Sequence, residues 1–241
     1  MPRGEVLVEP SEIAAYMATV ATDLLAEGSE SLTVKSIVAR AIQIVPDAEA
    51  VSLTVRTRRG RLETLAATDE LALRADELQY ELHEGPCVDS VERSDWFRSG
   101  SVAHDPRWPA WGPRAAAVGV GSLLAVVTFA GTEPQGALNL YSRREDAFGD
   151  PLDVELALVF ATHAANALTA ARLVEGLEVA VGSRHVIGLA QGIVMERFGL
   201  SVDQSFALLQ RLSSTTNTKL HDVARGIAET RQVPIAHADR E

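Results

Sequence analysis

Apolar residues recur three and four positions apart over 11–27 (SEIAAYMATVATDLLAE) and over 33–45 (TVKSIVARAIQIV), which predicts two amphipathic helices. Ser11 is placed to cap the first, and Pro46 ends the second. The pattern then shortens. AVSLTVRT (50–57) and RLETLAAT (61–68) read as two strands of a hairpin turning through RRG. Helical spacing returns over 69–93, where Pro86 of EGPCVDSV suits a first helical turn. DPRWPAWGP reads as a structured surface loop. Beyond it, 120–130 (VGSLLAVVTFA) and 136–143 (GALNLYSR) form a second hairpin across GTEPQ. This order predicts an α+β fold, an antiparallel sheet flanked by helices. Such an arrangement suits a small-molecule sensory module. No glycine-rich phosphate loop follows any strand, which argues against a dinucleotide-binding fold.

From Asp150, an N-cap, and Pro151, a helical pattern runs without proline to Phe198, 48 residues or about 72 Å if unbroken. Within 154–181 the apolar positions Leu156, Val159, Phe160, Ala164, Leu168, Ala171, Val174, Leu177 and Val181 occupy more than one face. A helix apolar around much of its circumference needs two burial partners. One is the sheet; the other is a second copy of the helix in a parallel, coiled-coil-like homodimer. The alternative is that 154–168 simply packs on its own sheet. Gly199 then stops the helix. Ser201 and Gln204 form a capping box for a helix with the stripe Val202, Phe206, Leu209 and Leu212. SSTTN separates it from a last helix carrying Leu220, Val223, Ala224 and Ile227, with Asn217 a candidate cap, so the C-terminal part is a three-helix bundle. Pro234 closes it, and IAHADRE reads as a frayed tail.

Composition narrows the partners. Apolar residues make up 46% and charged residues 23% of the 241, as in ordinary globular proteins. No uninterrupted apolar run nears the roughly 18 residues of a membrane span, and MPRGEVLVEPSE has no secretory core; a cytoplasmic protein without membrane contact is expected. The net charge of −11 argues against broad adhesion to nucleic acid, but it is unevenly spread. Residues 182–241 hold seven Lys/Arg and six Asp/Glu, leaving the acidic excess in the first three-quarters. A near-neutral tail is compatible with nucleic-acid contact.

Catalytic chemistry finds little footing. The six histidines are scattered without metal-ligand spacing, so neither a metal nor an enzyme activity is expected. Cys87, the only cysteine, excludes an internal disulfide and any multi-cysteine metal site and reads as a buried, inert thiol; the alternative is a lowered pKa at a helix N-terminus. The helix 185–198 poses a sharper question. Gly188 and Gly192 sit inside it, each costing about 1 kcal/mol relative to alanine. Bare backbone beside Gln191 permits close approach of another backbone, and a neighbouring helix of the bundle is one occupant.

IGLAQGIVMERFGLSVDQSFALLQRLSSTTNTKLHDVARGIAE resembles the ANTAR domain, an RNA-binding three-helix module of transcription antiterminators. The matching positions include Ala190, Gly192, Ile193, Met195, Arg197, Phe206, Leu209, Asn217, Lys219 and Leu220. HEGPCVDSV, DPRWPAW and GALNLYS resemble a GAF domain of the kind fused to ANTAR. The resemblance implies a GAF-like sensor over 11–168, a connecting and dimerising helix over 151–181, and an RNA-binding ANTAR bundle over 182–233. One position departs from the family pattern: lysine is usual where Gln191 stands. A glutamine amide still hydrogen-bonds phosphate or base edges but brings no charge. Some GAF proteins are methionine sulfoxide reductases using several cysteines, and one cysteine argues against that chemistry here.

The resemblance implies RNA hairpin loops in a nascent leader as the target, an RNA loop being the second candidate occupant of the bare backbone beside Gln191, with RNA polymerase affected indirectly. Candidate RNA-binding residues are Arg184, Ala190, Gln191, Gly192, Arg197, Arg211, Asn217, Lys219 and Arg225. Each basic one also reads as an ordinary solvated charge. Met195 reads as core, and so does Phe206, although Phe206 also suits base stacking. No cofactor is expected beyond an unidentified small ligand in the sensor, in an apolar pocket walled by 121–130, 136–142 and the DPRWPAW loop, or no pocket at all. A DNA-binding helical regulator and a ligand sensor with a protein-binding output are the alternatives.

Overall fold

A computed structural model describes residues 10–234; the tail expected to fray, 235–241, lies outside them, as do residues 1–9. The chain divides into two compact units, Met1–Leu173 and Val174–Glu241.

The first unit is built on a five-stranded antiparallel sheet. Its strands are β1 (Ala50–Arg56), β2 (Leu62–Ala67), β3 (Phe97–Ser99), β4 (Ser122–Ala130) and β5 (Glu133–Ser142), in spatial order β2-β1-β5-β4-β3. Both expected hairpins form. The second is tighter than the pattern indicated, because β5 begins at Glu133 and only Gly131 and Thr132 turn the chain. Alternation assigns each strand residue to a side. Val51, Leu53, Val55, Leu124, Val126, Leu138 and Leu140 join one apolar cluster with α1 (Pro10–Leu25) and α2 (Glu30–Ile44). Ser11 lies inside the first turn of α1 rather than at its cap, whereas Ser29 caps α2 by accepting the Leu32 amide proton. Phe160, Ala164 and Leu168 of α6 (Pro151–Phe198) complete that cluster.

The opposite face packs on α3 (Glu70–Leu82), α4 (Pro86–Arg93) and α5 (Trp111–Ala117). Here the expected surface loop is corrected. Trp108 and Trp111 are fully buried, 6.1 Å apart edge to face, and the loop's end folds into α5. The Glu84 carboxylate accepts the backbone N–H groups of Ala110 and Trp111, capping α5 from a distant part of the chain. The tryptophan nitrogens are satisfied too: Trp111 donates to the Ala75 carbonyl and Trp108 to Asp89. Those side chains fill the place expected for an apolar ligand pocket.

α6 is continuous over 48 residues, started by Asp150, whose side chain accepts the Leu152 amide proton, and stopped at Gly199 with φ +64°. Its first part is buried on its own sheet, a contact common to both readings of the helix. From Leu173 to Val181 its apolar side chains, including Val174, Leu177 and Val179, are exposed. Among the described residues α6 alone is long and apolar enough to cross a membrane, by length and composition; Phe160, Ala164 and Leu168 are committed to the protein core.

The second unit joins the end of α6 to α7 (Val202–Thr216) and α8 (Leu220–Thr230). Ala190, Val194, Leu209, Leu212, Val223, Ala224 and Ile227 form its small core. The capping box closes as expected, with Ser201 accepting from the Gln204 amide and Gln204 accepting in return. The α7 stripe differs: Val202 and Phe206 are exposed, and Ser205 takes the buried place between them. Phe206 is therefore no core residue, which leaves its ring open for contact.

Candidate nucleic-acid interface

The bundle core decides which side of α6 faces outward. Ala190 and Val194 point inward, so Gly188 and Gly192 lie on another side. A Cβ added at either glycine would meet nothing within 4 Å beyond its own helix. Tight helix–helix packing inside the bundle, one of the two readings of these glycines, is thereby excluded. The backbone at Gly192 instead borders an open groove of about 640 Å³ between α6 and α8. Leu189, Ile193 and Ala228 give it an apolar floor; Arg197, Arg231 and Glu196 rim it. Arg197 donates to the Arg231 carbonyl at 2.8 Å, which fixes one guanidinium at the mouth.

The other candidate residues fall into distinct places. Ala190 is fully buried and takes no part in any surface; a small side chain there lets the helices close together. Gln191 is half-buried and turned toward α7, where its amide donates to the Val202 carbonyl at 3.2 Å and reaches the Ser205 hydroxyl at 3.4 Å. It therefore positions the α6–α7 corner. Asn217 is not the cap of α8: it closes α7 in the left-handed conformation, φ 49°, and Lys219 occupies the N-cap of α8. Lys219 stands a full helix length, about 18 Å by rise, from the groove's Arg231 end. Arg225 is one turn from Ala228 on the same side of α8 and meets His221 at 3.1 Å. Arg184 and Arg211 are exposed. The groove thus unites Gly192 and Arg197 with Arg231, which pattern reading passed over because it lies beyond the last helical residue.

In the first unit the chemistry is sealed. Asp76 is fully buried and accepts hydrogen bonds from Tyr141, Asn139 and Thr64, at 2.5, 3.0 and 2.7 Å. Burial pushes its carboxyl above the ordinary range despite those donors. Cys87 lies fully buried beside this network, and desolvation with the nearby Asp76 charge pushes its thiol up to about 12. It is a neutral thiol at physiological pH, contrary to the lowered-pKa alternative.

Family models match both units: a GAF domain over residues 29–169 and an ANTAR domain over 175–227. The chain is a GAF–ANTAR protein. It couples a sensor-type domain to an output domain of a class known for RNA binding, and so belongs among GAF-coupled regulators. No curated protein matches it significantly. Solved structures share the GAF fold. The GAF domain of a phosphoenolpyruvate-protein phosphotransferase from Coxiella burnetii is 17% identical, with a TM-score of 0.55 over 69% of this chain and 98% of that one. Free methionine-R-sulfoxide reductase from Neisseria meningitidis is 15% identical, with a TM-score of 0.53 over 68% and 92%. A bacteriophytochrome from R. palustris reaches 0.59 at 9% identity, over 87% of this chain and 48% of its own. At such identities the likeness concerns fold alone.

Proposed function

We propose that this GAF–ANTAR protein is a cytoplasmic, non-enzymatic transcription antitermination regulator that binds hairpin loops of nascent leader RNA as a homodimer. The observation that carries this reading is the unfilled glycine face of α6 beside the arginine-rimmed groove. Two glycines in a helix of a small bundle weaken it, and no described residue of the unit uses the space they leave. An unstacked base has the flat shape to lie over bare backbone and an apolar floor, with guanidinium groups at its edges. Favouring one RNA hairpin over a terminator then acts on the elongating polymerase indirectly.

The homodimer rests on α6. Leu173, Val174, Leu177, Val179 and Val181 are exposed in a run, with Leu152 and Val159 also exposed on the same helix. A second copy supplies the burial these side chains lack. One experiment tests both parts: light scattering of the protein alone and with a two-hairpin RNA, in competition with duplex DNA. The reading expects a dimer, one RNA per dimer, and no displacement by DNA. A monomer, or equal competition by duplex DNA, contradicts it.

A further inference from the structure

The first unit contains thirteen arginines among its described residues, and nine are paired with a carboxylate. The four that are not, Arg56, Arg58, Arg59 and Arg61, stand within six residues of each other on the β1–β2 hairpin. None of their side chains makes an ion pair or hydrogen bond with any described residue. That is unexpected in a unit with so large an acidic excess, where partners abound. The gap is also not for lack of neighbours. Arg56 and Arg61 line a cleft of about 710 Å³ together with Glu63, Glu92, His83 and Tyr80, and the two glutamates make no ion pair either. Gly60, with φ +79° and open space around it, keeps the turn tight and uncovered. Leu62, Val88 and Val91 give the cleft an apolar wall. Tyr80 hydrogen-bonds Thr54 at 2.7 Å and Thr64 at 2.8 Å, which fixes the cleft floor to the buried network around Asp76.

We propose that this cleft is the sensor's ligand site and takes a small phosphorylated metabolite, its phosphate held by Arg56 and Arg61 and donor groups of its body facing Glu63 and Glu92. The proposal rests on the sensor reading of this unit. The cleft has the size of small-molecule sites. Guanidinium forks match phosphate oxygens in pairs, and several unpaired arginines fit a polyvalent anion better than a single carboxylate. Opposite charges left apart on one cleft suit a ligand that carries both an anion and hydrogen-bond donors.

The test is a two-dimensional amide NMR titration of the full chain with pyrophosphate and, separately, glucose 6-phosphate. Both should move the amides of 56–61 and 79–83, with glucose 6-phosphate also moving those of Glu63 and Glu92. The pair Arg56→Gln and Arg61→Gln should weaken binding about tenfold or more, while the control Arg74→Gln, a paired arginine on α3, leaves it unchanged. Surface arginine variants keep the fold, which an unchanged melting midpoint verifies. No amide movement at millimolar probe, or equal binding by the double variant, overturns the site. Single-stranded RNA moving the hairpin amides where neither probe does would assign the arginines to RNA and overturn it too. The sensor reading fails separately, if probe binds the cleft yet RNA affinity is unaltered.

Discussion

A methyl group added to Gly136 in β5 would lie 1.9 Å from the Thr54 carbonyl oxygen, whereas one added to Gly192 in α6 would meet nothing within 4 Å. The contrast extends to neighbours. Gly112 and Gly121 also abut backbone, with Val102 O and Arg143 O at 2.1 and 2.4 Å, while Gly188 is open. At these three positions of the sensor unit glycine lets chain segments of the same protein touch, while Gly60 on the β1–β2 turn is open. At Gly188 and Gly192 of the output unit it leaves space that no described residue fills. The buried polar groups of the sensor unit, where Asn139 donates to Asp76 and Gln79 to Tyr141, likewise contrast with the exposed Arg184, Arg211 and Lys219 of the output unit. A sensor unit with a sealed interior, open at the β1–β2 cleft, thus shares a chain with an output unit whose helix backbone is uncovered.

The most severe way to break the contrast is Gly136→Ala. Its Cβ meets strand backbone that cannot move without opening the sheet, so a loss of about 4 kcal/mol or more is expected. Chemical denaturation, or failure to obtain folded protein, measures it. The sealed network offers a second, pH-dependent test. Because the folded state raises the Asp76 carboxyl, its contribution is fully present below the unfolded value near 3.9 and is lost as pH rises through the raised folded value. Over that window stability should fall with a slope of at most about 1.4 kcal/mol per pH unit from this group. Asp76→Asn should remove that component, and denaturation curves from acid to neutral pH would reveal it. A slope identical in both proteins would place the titrating group elsewhere.

Smaller effects sharpen the open side. Gln191→Ala should cost about 1 kcal/mol through loss of its bonds to Val202 and Ser205, weakening the α6–α7 corner. Gly192→Ala should have the opposite sign. With nothing to clash against, it should stabilise the bundle by up to about 1 kcal/mol. A destabilised Gly192→Ala, seen in the melting midpoint, would mean that the bundle packs against that backbone after all.

Much of this was readable from residue order. Asp150-Pro151 and Gly199 bounded α6, Ser201 and Gln204 announced α7, and both hairpins followed from alternation. The misses have physical causes. β3 is three residues long, too short to show a period. α5 was hidden because Gly112 and Pro113 stand at its start and its cap, Glu84, comes from far along the chain. Ser52, Thr54 and Asn139 are polar residues of β1 and β5 that lie buried around Asp76, a grouping that strand pattern alone does not reveal. At the interface, the glycines were visible but their surroundings were not. Ala190 and Gln191 are neighbours of Gly192 in sequence, and the helical turn sends one to the core and the other to α7. Arg231 enters the groove only through tertiary packing.

The central claim is that RNA occupies the space over Gly192. Titrating a two-hairpin RNA against the wild-type protein and Gly192→Leu tests it most directly, with circular dichroism and light scattering run on both. Leucine fills the groove without touching the bundle core, so helix content and oligomeric state should persist while RNA binding is lost. Unchanged RNA affinity in Gly192→Leu would contradict the claim and place the RNA face elsewhere on the domain.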